Sequence, residues 1–567
     1  MRKIIYDINK FYSTRTKIYF LLTVISTIIY SISELLSISI LIPIINFLIY
    51  PSNLLKYEFF SQLFLKYGVS GELQIRHFIL LTAFCSIILN AIIKNLLFKF
   101  NTNFAAHIGI QTSNLLVCKI LDVNYVFLKN INVDSYITLI GKNIEYFTYY
   151  IVLPFINLLS STFQIILLMG LLFYINFKIS VITFVFFVSI YSLINYFNRK
   201  KLSHISSIIS SASPKTIEGI RNVIYGFREI FLYSKNDYYK SNFHNVFYGS
   251  FRAQSKSLYF AALPKFILES IAIFFILFIL YYKIIEGDNF ITIIPFLTTF
   301  VLTLQRILPS FQLAFGSYTS IKTYSYLFNE IFNNFDQLDS NKLIFSKDIK
   351  DQILAFENIN FQNINFNYPG KQNIFDNFNF QINAGDKVFI YGRSGAGKST
   401  FIDLFCGFLP QNSGSIKIND EFALNDVLYK WKDQIAYIPQ KVHLLNGSFY
   451  ENITYSHVID NNIDKVRKYA QLCGIDDLIM SNDLGYNFKI NPDINNLSGG
   501  QVKRLCIARA MYFDKSIIIL DEATSGLDSQ SEFDIVNMLL QVCKDKTILY
   551  ISHNLEYKKY FNKELFF

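Results

Sequence analysis

Six apolar stretches, at about 18–49, 77–98, 147–174, 178–197, 260–282 and 290–314, settle the first question about this chain. Each is long enough to cross a bilayer as a helix, which takes roughly 20 residues. A helix is also the form that satisfies its own backbone polar groups in hydrocarbon. Hydrophobic residues make up 52% of 567 positions, with a mean hydropathy of +0.31, more than a soluble chain of this length needs. The N-terminal part is therefore expected to be an all-α membrane domain. Arg199, Lys200, Lys201, Lys215, Arg221, Arg228, Lys235, Lys240, Arg252 and Lys256 crowd the connection after the fourth stretch, while the turn before it carries Lys178 alone. Basic residues stay on the cytoplasmic side of membrane helices, so the N-terminus and the long loops are assigned there. The net charge of +10 has the same origin, and no basic block with interleaved aromatics argues for nucleic acid.

The opening MRKIIYDINKFY sets Ile4, Ile5, Ile8 and Phe11 at helical spacing against Lys3, Asp7 and Lys10, the pattern of an amphipathic helix on a membrane surface. The connections at about 99–146 and 198–259 also carry helical periodicity, so helices are expected to continue into the cytosol and end in short transverse helices. The first outward loop, PSNLLKYEFFSQLFLKYG, gathers Leu55, Phe59, Phe60, Leu63 and Phe64 on one helical face. It reads equally as an ordinary packed loop helix and as a substrate-handling one. Cys85 falls in an apolar segment, and Cys118, Cys406, Cys473, Cys506 and Cys543 on the cytosolic side, so no disulfide is expected.

From about residue 351, strand-like alternation and turn signals replace the apolar runs, and 321–350 reads as a linker between domains at 1–320 and 351–567. GRSGAGKST follows the strand KVFIY and opens a helical run, the context a phosphate loop requires. Backbone N–H groups of Gly392, Arg393, Ser394, Gly395, Ala396, Gly397, Lys398 and Ser399 are placed to wrap phosphates. Lys398 would reach the β and γ phosphates, and Ser399, followed by Thr400, would ligate magnesium. SIIILDE is a buried-strand pattern ending in two carboxylates: Asp521 for the metal and Glu522 to polarise an attacking water. Alone, such a run is more often structural. In LSGGQ, Ser498, Gly499, Gly500 and Gln501 start a helix, where free N–H groups attract anions.

These three motifs, in this order and spacing, resemble the ABC ATPase domain, an α/β P-loop fold that binds ATP and Mg2+. The resemblance implies that Tyr368 stacks on adenine and that Gln440, after YIP, contacts magnesium. It also implies that Asp528 lies at a dimer interface, that His553 contacts the γ phosphate, and that Ser498 and Gly500 complete the site of the opposite subunit of a homodimer. Six helices followed by one cassette resemble an ABC exporter half-transporter. KINPDINN before LSGGQ departs from the Gly- and Glu-containing turn usual in exporters, and the chain stops soon after His553. No peptidase domain precedes the membrane half, which counts against a leader-processing peptide exporter.

Cargo rests on fewer residues. Lys94, Lys99, Lys265 and Arg306 fall toward the cytoplasmic half of the bilayer, where an anionic lipid head group would enter. Equally, lysines near helix ends snorkel, and Glu269 stands four positions from Lys265. AALPKFILESIA, TLQRILPS and the helical outward loop are similar to bacterial lipid-linked oligosaccharide flippases of the PglK type. That resemblance implies a polyprenyl-pyrophosphate-linked glycan moved across the bacterial inner membrane. A lipid A or phospholipid flippase, a multidrug exporter and a peptide exporter are the rivals within transport. An ATP-gated membrane protein without net transport is the rival outside it.

Overall fold

The computed structural model describes residues 10–49, 72–175, 177–285, 290–343, 356–368, 370, 372–456, 462–491, 497–524 and 528–567. The amphipathic opening as far as residue 9, the first outward loop and most of the KINPDINN segment lie outside these residues. Contacts divide the chain into two units: Met1–Val123 with Asn130–Lys342, and Asn124–Lys129 with Leu343–Phe567.

The described residues of the first unit are almost entirely helical. It contains α1 (Thr14–Ile49) and α2 (Glu72–Leu121), and the short α3 (Tyr125–Asn130) follows in the chain. Next come α4 (Val133–Thr138), α5 (Ile144–Phe147) and α6 (Leu153–Ile175), joined through π-helical turns at Leu139–Asn143 and Thr148–Val152. The unit closes with α7 (Phe177–Tyr225), α8 (Phe227–Leu232), α9 (Asn236–Ile285) and α10 (Phe290–Ser340). Every apolar stretch falls on this helical run. Five segments among the described residues are long and apolar enough to cross a membrane. At 1.5 Å per residue, the 50-residue α2 reaches ~75 Å, well beyond a hydrocarbon core, so its polar end continues the same helix. The last helix runs on to Ser340, through most of the segment read as a linker.

The faces of these helices say what surrounds them. On α2, Leu81, Phe84, Leu89 and Leu96 are each at least 60% exposed, a stripe that water would penalise and lipid does not. Inside, small and polar side chains tie helix to helix. Ser26 Oγ donates to Asn101 Oδ1 at 2.7 Å, Ser310 Oγ to Gln164 Oε1 at 3.0 Å, and Ser31 Oγ to the Ser160 carbonyl at 3.2 Å. Leu168, Met169 and Leu172 of α6 pack with Leu268 and Ala272 of α9 and Leu304 and Ile307 of α10.

The second unit is α/β. An antiparallel sheet of β1 (Asn358–Asn367), β2 (Asn373–Asn383), β4 (Ser413–Ile418) and β5 (Phe422–Ala423) runs in the order β2-β1-β4-β5. A parallel sheet of β3 (Lys387–Tyr391), β6 (Ile435–Ile438), β9 (Ile517–Asp521), β10 (Thr547–Ile551) and β11 (Lys563–Phe566) runs in the order β11-β3-β10-β9-β6. Every residue of β9 and β10 is buried, as expected for parallel strands covered on both faces. Helix α11 (Lys398–Phe405) lies in the core shared by both sheets, its Phe401, Ile402, Leu404 and Phe405 packed with residues of β1, β3 and β9. The next helix, α12 (Leu424–Trp431), closes that core with Trp431. A separate core joins α13 (Phe449–Thr454), α14 (Ile463–Leu472), α15 (Asp476–Met480) and α16 (Gly499–Tyr512), beside the ribbon of β7 (Gly447–Ser448) and β8 (Lys489–Ile490). The far face of the parallel sheet is covered by α16 and α17 (Ser529–Val542).

Candidate functional site

In an open parallel sheet, ligands bind outside the carboxyl ends of the strands. Here β3 runs into the glycine loop at Gly392, β9 into Glu522, β10 into His553 and β6 into Gln440. Since β3, β10, β9 and β6 are neighbours in the sheet, four segments far apart in sequence end side by side. They open into a cavity of about 860 Å³ lined by Tyr368, Ser394 to Thr400, Gln440, Glu522 and His553. Gln372, Asn373 and Ile374 complete the lining. They open β2 and carry no chemical signature by which the sequence could reveal them.

The loop's shape comes from glycine. Gly397 caps α11 at φ +111°, a left-handed conformation disfavoured for other residues, and a β-carbon there would stand 2.7 Å from Ile374 Cγ2. The chain thereby turns into α11, whose first residues Lys398, Ser399 and Thr400 line the cavity, and the unpaired N–H groups of a helix start attract anions. Lys398 is buried and its Nζ donates to the carbonyls of Gly392 (2.9 Å) and Arg393 (3.1 Å), so the ammonium is held at the base of the loop.

Opposite stands Glu522. Its backbone sits at φ +46°, in the left-handed region, with its N–H donating to the Ile551 carbonyl at 3.2 Å. Gln440 Nε2 donates to Glu522 Oε2 at 2.6 Å and His553 Nε2 to Glu522 Oε1 at 3.1 Å. Both carboxylate oxygens are therefore fixed in direction, a geometry suited to accepting a proton from a water in the cavity. Because the Gln440 amide nitrogen faces Glu522, its oxygen remains for a cation. Ser399 lines the same cavity, while Asp521 is not among its lining residues; hydroxyl, amide and carboxylate oxygens are the hard donors Mg2+ prefers. Among the described residues no cluster of three His, Cys, Asp or Glu could hold a metal. Burial raises the Asp521 carboxyl above its usual range, the hydrogen bond from Tyr437 opposing this at 3.0 Å. Tyr437, three residues before Gln440, was not singled out from the sequence.

The motif at 498–501 and Asp528 are placed elsewhere than in this lining. Ser498 Oγ accepts from the Gln501 N–H and the Gln501 side chain accepts from the Ser498 N–H, a capping box that starts α16. A β-carbon at Gly499 would meet open space. Asp528 accepts from the Ser531 N–H at 2.9 Å and starts α17. In the membrane unit, Lys94 of α2 is ion-paired with the buried Glu34 of α1 and lies 5.8 Å from the Tyr30 ring centroid. Lys99 and Lys265 are exposed on α2 and α9. The side chain of Arg306 is outside the described residues.

Asp403, within α11, is a further group the sequence does not flag. Burial pushes its carboxyl up to about 6, Lys129 opposing the rise and Asp521 adding to it. A carboxyl raised in the folded state holds its proton more tightly there than in the unfolded chain. The stability it contributes is therefore present below the unfolded value near ~3.9 and lost as pH climbs through about 6. In Asp403→Asn this dependence disappears. Thermal midpoints of variant and wild type, compared between about pH 4 and 7, should shift in favour of the variant as pH rises. A constant difference would rule the assignment out.

Residues 375–525 match the family model described as ABC transporter. The chain is 38% identical over 195 residues to a probable ABC transporter ATP-binding/permease protein of Haemophilus influenzae, covering 34% of this chain and 35% of that protein. It is 38% identical over 198 residues to an ATP-dependent lipid A-core flippase of Psychrobacter cryohalolentis, covering 35% and 33%. To the lactococcin-G-processing and transport ATP-binding protein LagD of Lactococcus lactis it is 33% identical over 222 residues, covering 39% and 30%. The matched stretch spans about a third of the length of these relatives. Across 97% of this chain and 93% of the other, the fold matches a bacterial Atm1-family ABC exporter with ATP bound, at TM-score 0.74 and 16% identity. The chain thus joins an ABC transporter ATPase domain to a helical membrane domain with an ABC exporter fold, the fusion its motifs predict.

Proposed function

We propose that this chain is an ATP-driven transporter of the bacterial inner membrane, working as a homodimer with N-terminus and ATPase domain in the cytoplasm. Its division would be a membrane domain at 1–320, a linker at 321–350 and the ATPase domain at 351–567. The observation that carries the ATPase reading is Glu522, clamped between Gln440 and His553 at the mouth of the phosphate loop. Lys398 and the loop N–H groups bind the phosphates, Tyr368 takes the base, Glu522 draws the proton from water, and His553 faces the γ phosphate. When bound, Mg2+ supplies charge neutralisation for the phosphates, with Ser399, Gln440 and Asp521 to hold it. Ser498 to Gln501 and Asp528 are assigned to a site completed by a second copy. Closure of two such sites would move the membrane helices, and hydrolysis would reset them.

For cargo the reading is a lipid-linked oligosaccharide bearing a pyrophosphate, with Lys99, Lys265 and Arg306, and Lys94 alongside Glu34, as the cations that meet it. The lipid A-core flippases among the relatives favour a lipid of some kind and support a lipid A substrate as the second reading. In proteoliposomes, ATP hydrolysis should rise when a polyprenyl-pyrophosphate-linked sugar is added. Reorientation of that lipid should require Glu522. Turnover that ignores this lipid but responds to lipid A, amphipathic drugs or peptides would overturn the cargo assignment.

A further inference from the structure

Residues Asn124–Lys129 follow the membrane helix α2 in the chain, yet they pack with the unit that holds the phosphate loop. Tyr125 of α3 lies against Phe408, ring centroids 5.0 Å apart, and Val126 packs on the core built around α11. So seated, the helix brings the Lys129 Nζ to 5.4 Å from the centroid of the Tyr368 ring. That ring lines the cavity, and its edge contact with Phe366, at 5.2 Å between centroids, constrains a second side. An ammonium over an aromatic face is drawn to its negative quadrupole and resists rotation of the ring away from it. The charge of Lys129 also acts on Asp403 of α11.

We propose that Lys129 is a positioning residue for the nucleotide site, holding the Tyr368 ring in the orientation that stacks on the purine base. The proposal rests on the cavity being an ATP site, and it makes base affinity depend on whether α3 is seated. A solvated lysine paired loosely with Asp403 would have no such effect.

The test uses the full chain in lipid nanodiscs, measuring KM for ATP, kcat and the binding of a fluorescent trinitrophenyl ATP. Lys129→Ala should raise KM and weaken analogue binding roughly two- to fivefold while moving kcat far less, and Lys129→Arg should restore both. In a Tyr368→Ala background, Lys129→Ala should add nothing. An unchanged KM overturns the proposal. A KM effect of the same size without Tyr368 also overturns it, because the lysine then acts through Asp403. Lys398→Ala separates the two levels of the argument. If it abolishes analogue binding while Lys129→Ala changes nothing, only the positioning role falls. If wild type binds no nucleotide and Lys398→Ala is no different, the nucleotide reading fails and takes this proposal with it.

Discussion

Glu522→Gln is expected to cut ATP turnover by about 10²–10⁴-fold, the usual reach of a general base, with nucleotide still bound. The reason is geometric. Glu522 is held at φ +46° by a backbone bond to β10 and carries hydrogen bonds from Gln440 and His553 on its two oxygens. Left-handed backbone at a non-glycine residue costs on the order of 1–3 kcal/mol and persists where surrounding structure enforces it. Gln keeps the size and the backbone conformation but cannot take a proton from water. Phosphate release under single-turnover conditions, beside direct measurement of bound nucleotide, separates chemistry from binding. Turnover within about threefold of wild type, far short of a general base's usual contribution, would show that another group activates the water.

The parts of this molecule that follow from local pattern were readable in advance. Hydrophobic length gave the membrane helices, and the unbroken apolar run SIIIL gave a fully buried strand because parallel strands are covered on both faces. The glycine loop was legible because its conformations require glycine, as Gly397 demonstrates. What the sequence hid are pairings between distant positions. Lys94 finds Glu34 across a helix interface, Lys129 reaches Tyr368 from more than two hundred residues earlier in the chain, and Asp403 is set by burial against a sheet. No periodicity encodes such contacts, since they depend on where whole elements pack. The double use of Gln501 is a different case. The S-x-x-Q spacing signals a capping box, and its side chain does close one, alongside the anion site that the same four residues suggest.

Trp431→Ala should destabilise the ATPase unit by about 3–5 kcal/mol. Trp431 is the only tryptophan of the chain and is fully buried, its ring 5.3 Å from Phe405 and 5.4 Å from Phe356. Truncation would leave a cavity in the core shared by the two sheets. It would also remove a cap. The last carbonyls of a helix lack intrahelical partners, and the indole N–H donates to the Phe405 carbonyl at the end of α11 at 2.7 Å. Because α11 begins at Lys398, loosening its C-terminal end weakens the element that presents the phosphate loop. Trp431→Phe separates the two contributions: it retains most of the volume and loses the cap, a loss of roughly 1–3 kcal/mol. The temperature at which the full chain loses ATPase activity should fall by about 10 °C in Trp431→Ala and by less in Trp431→Phe. Nucleotide at about 100 times its Kd should recover on the order of 2.7 kcal/mol in either variant. Equal losses in the two variants would mean that the hydrogen bond, and not the packing, holds this end of the helix.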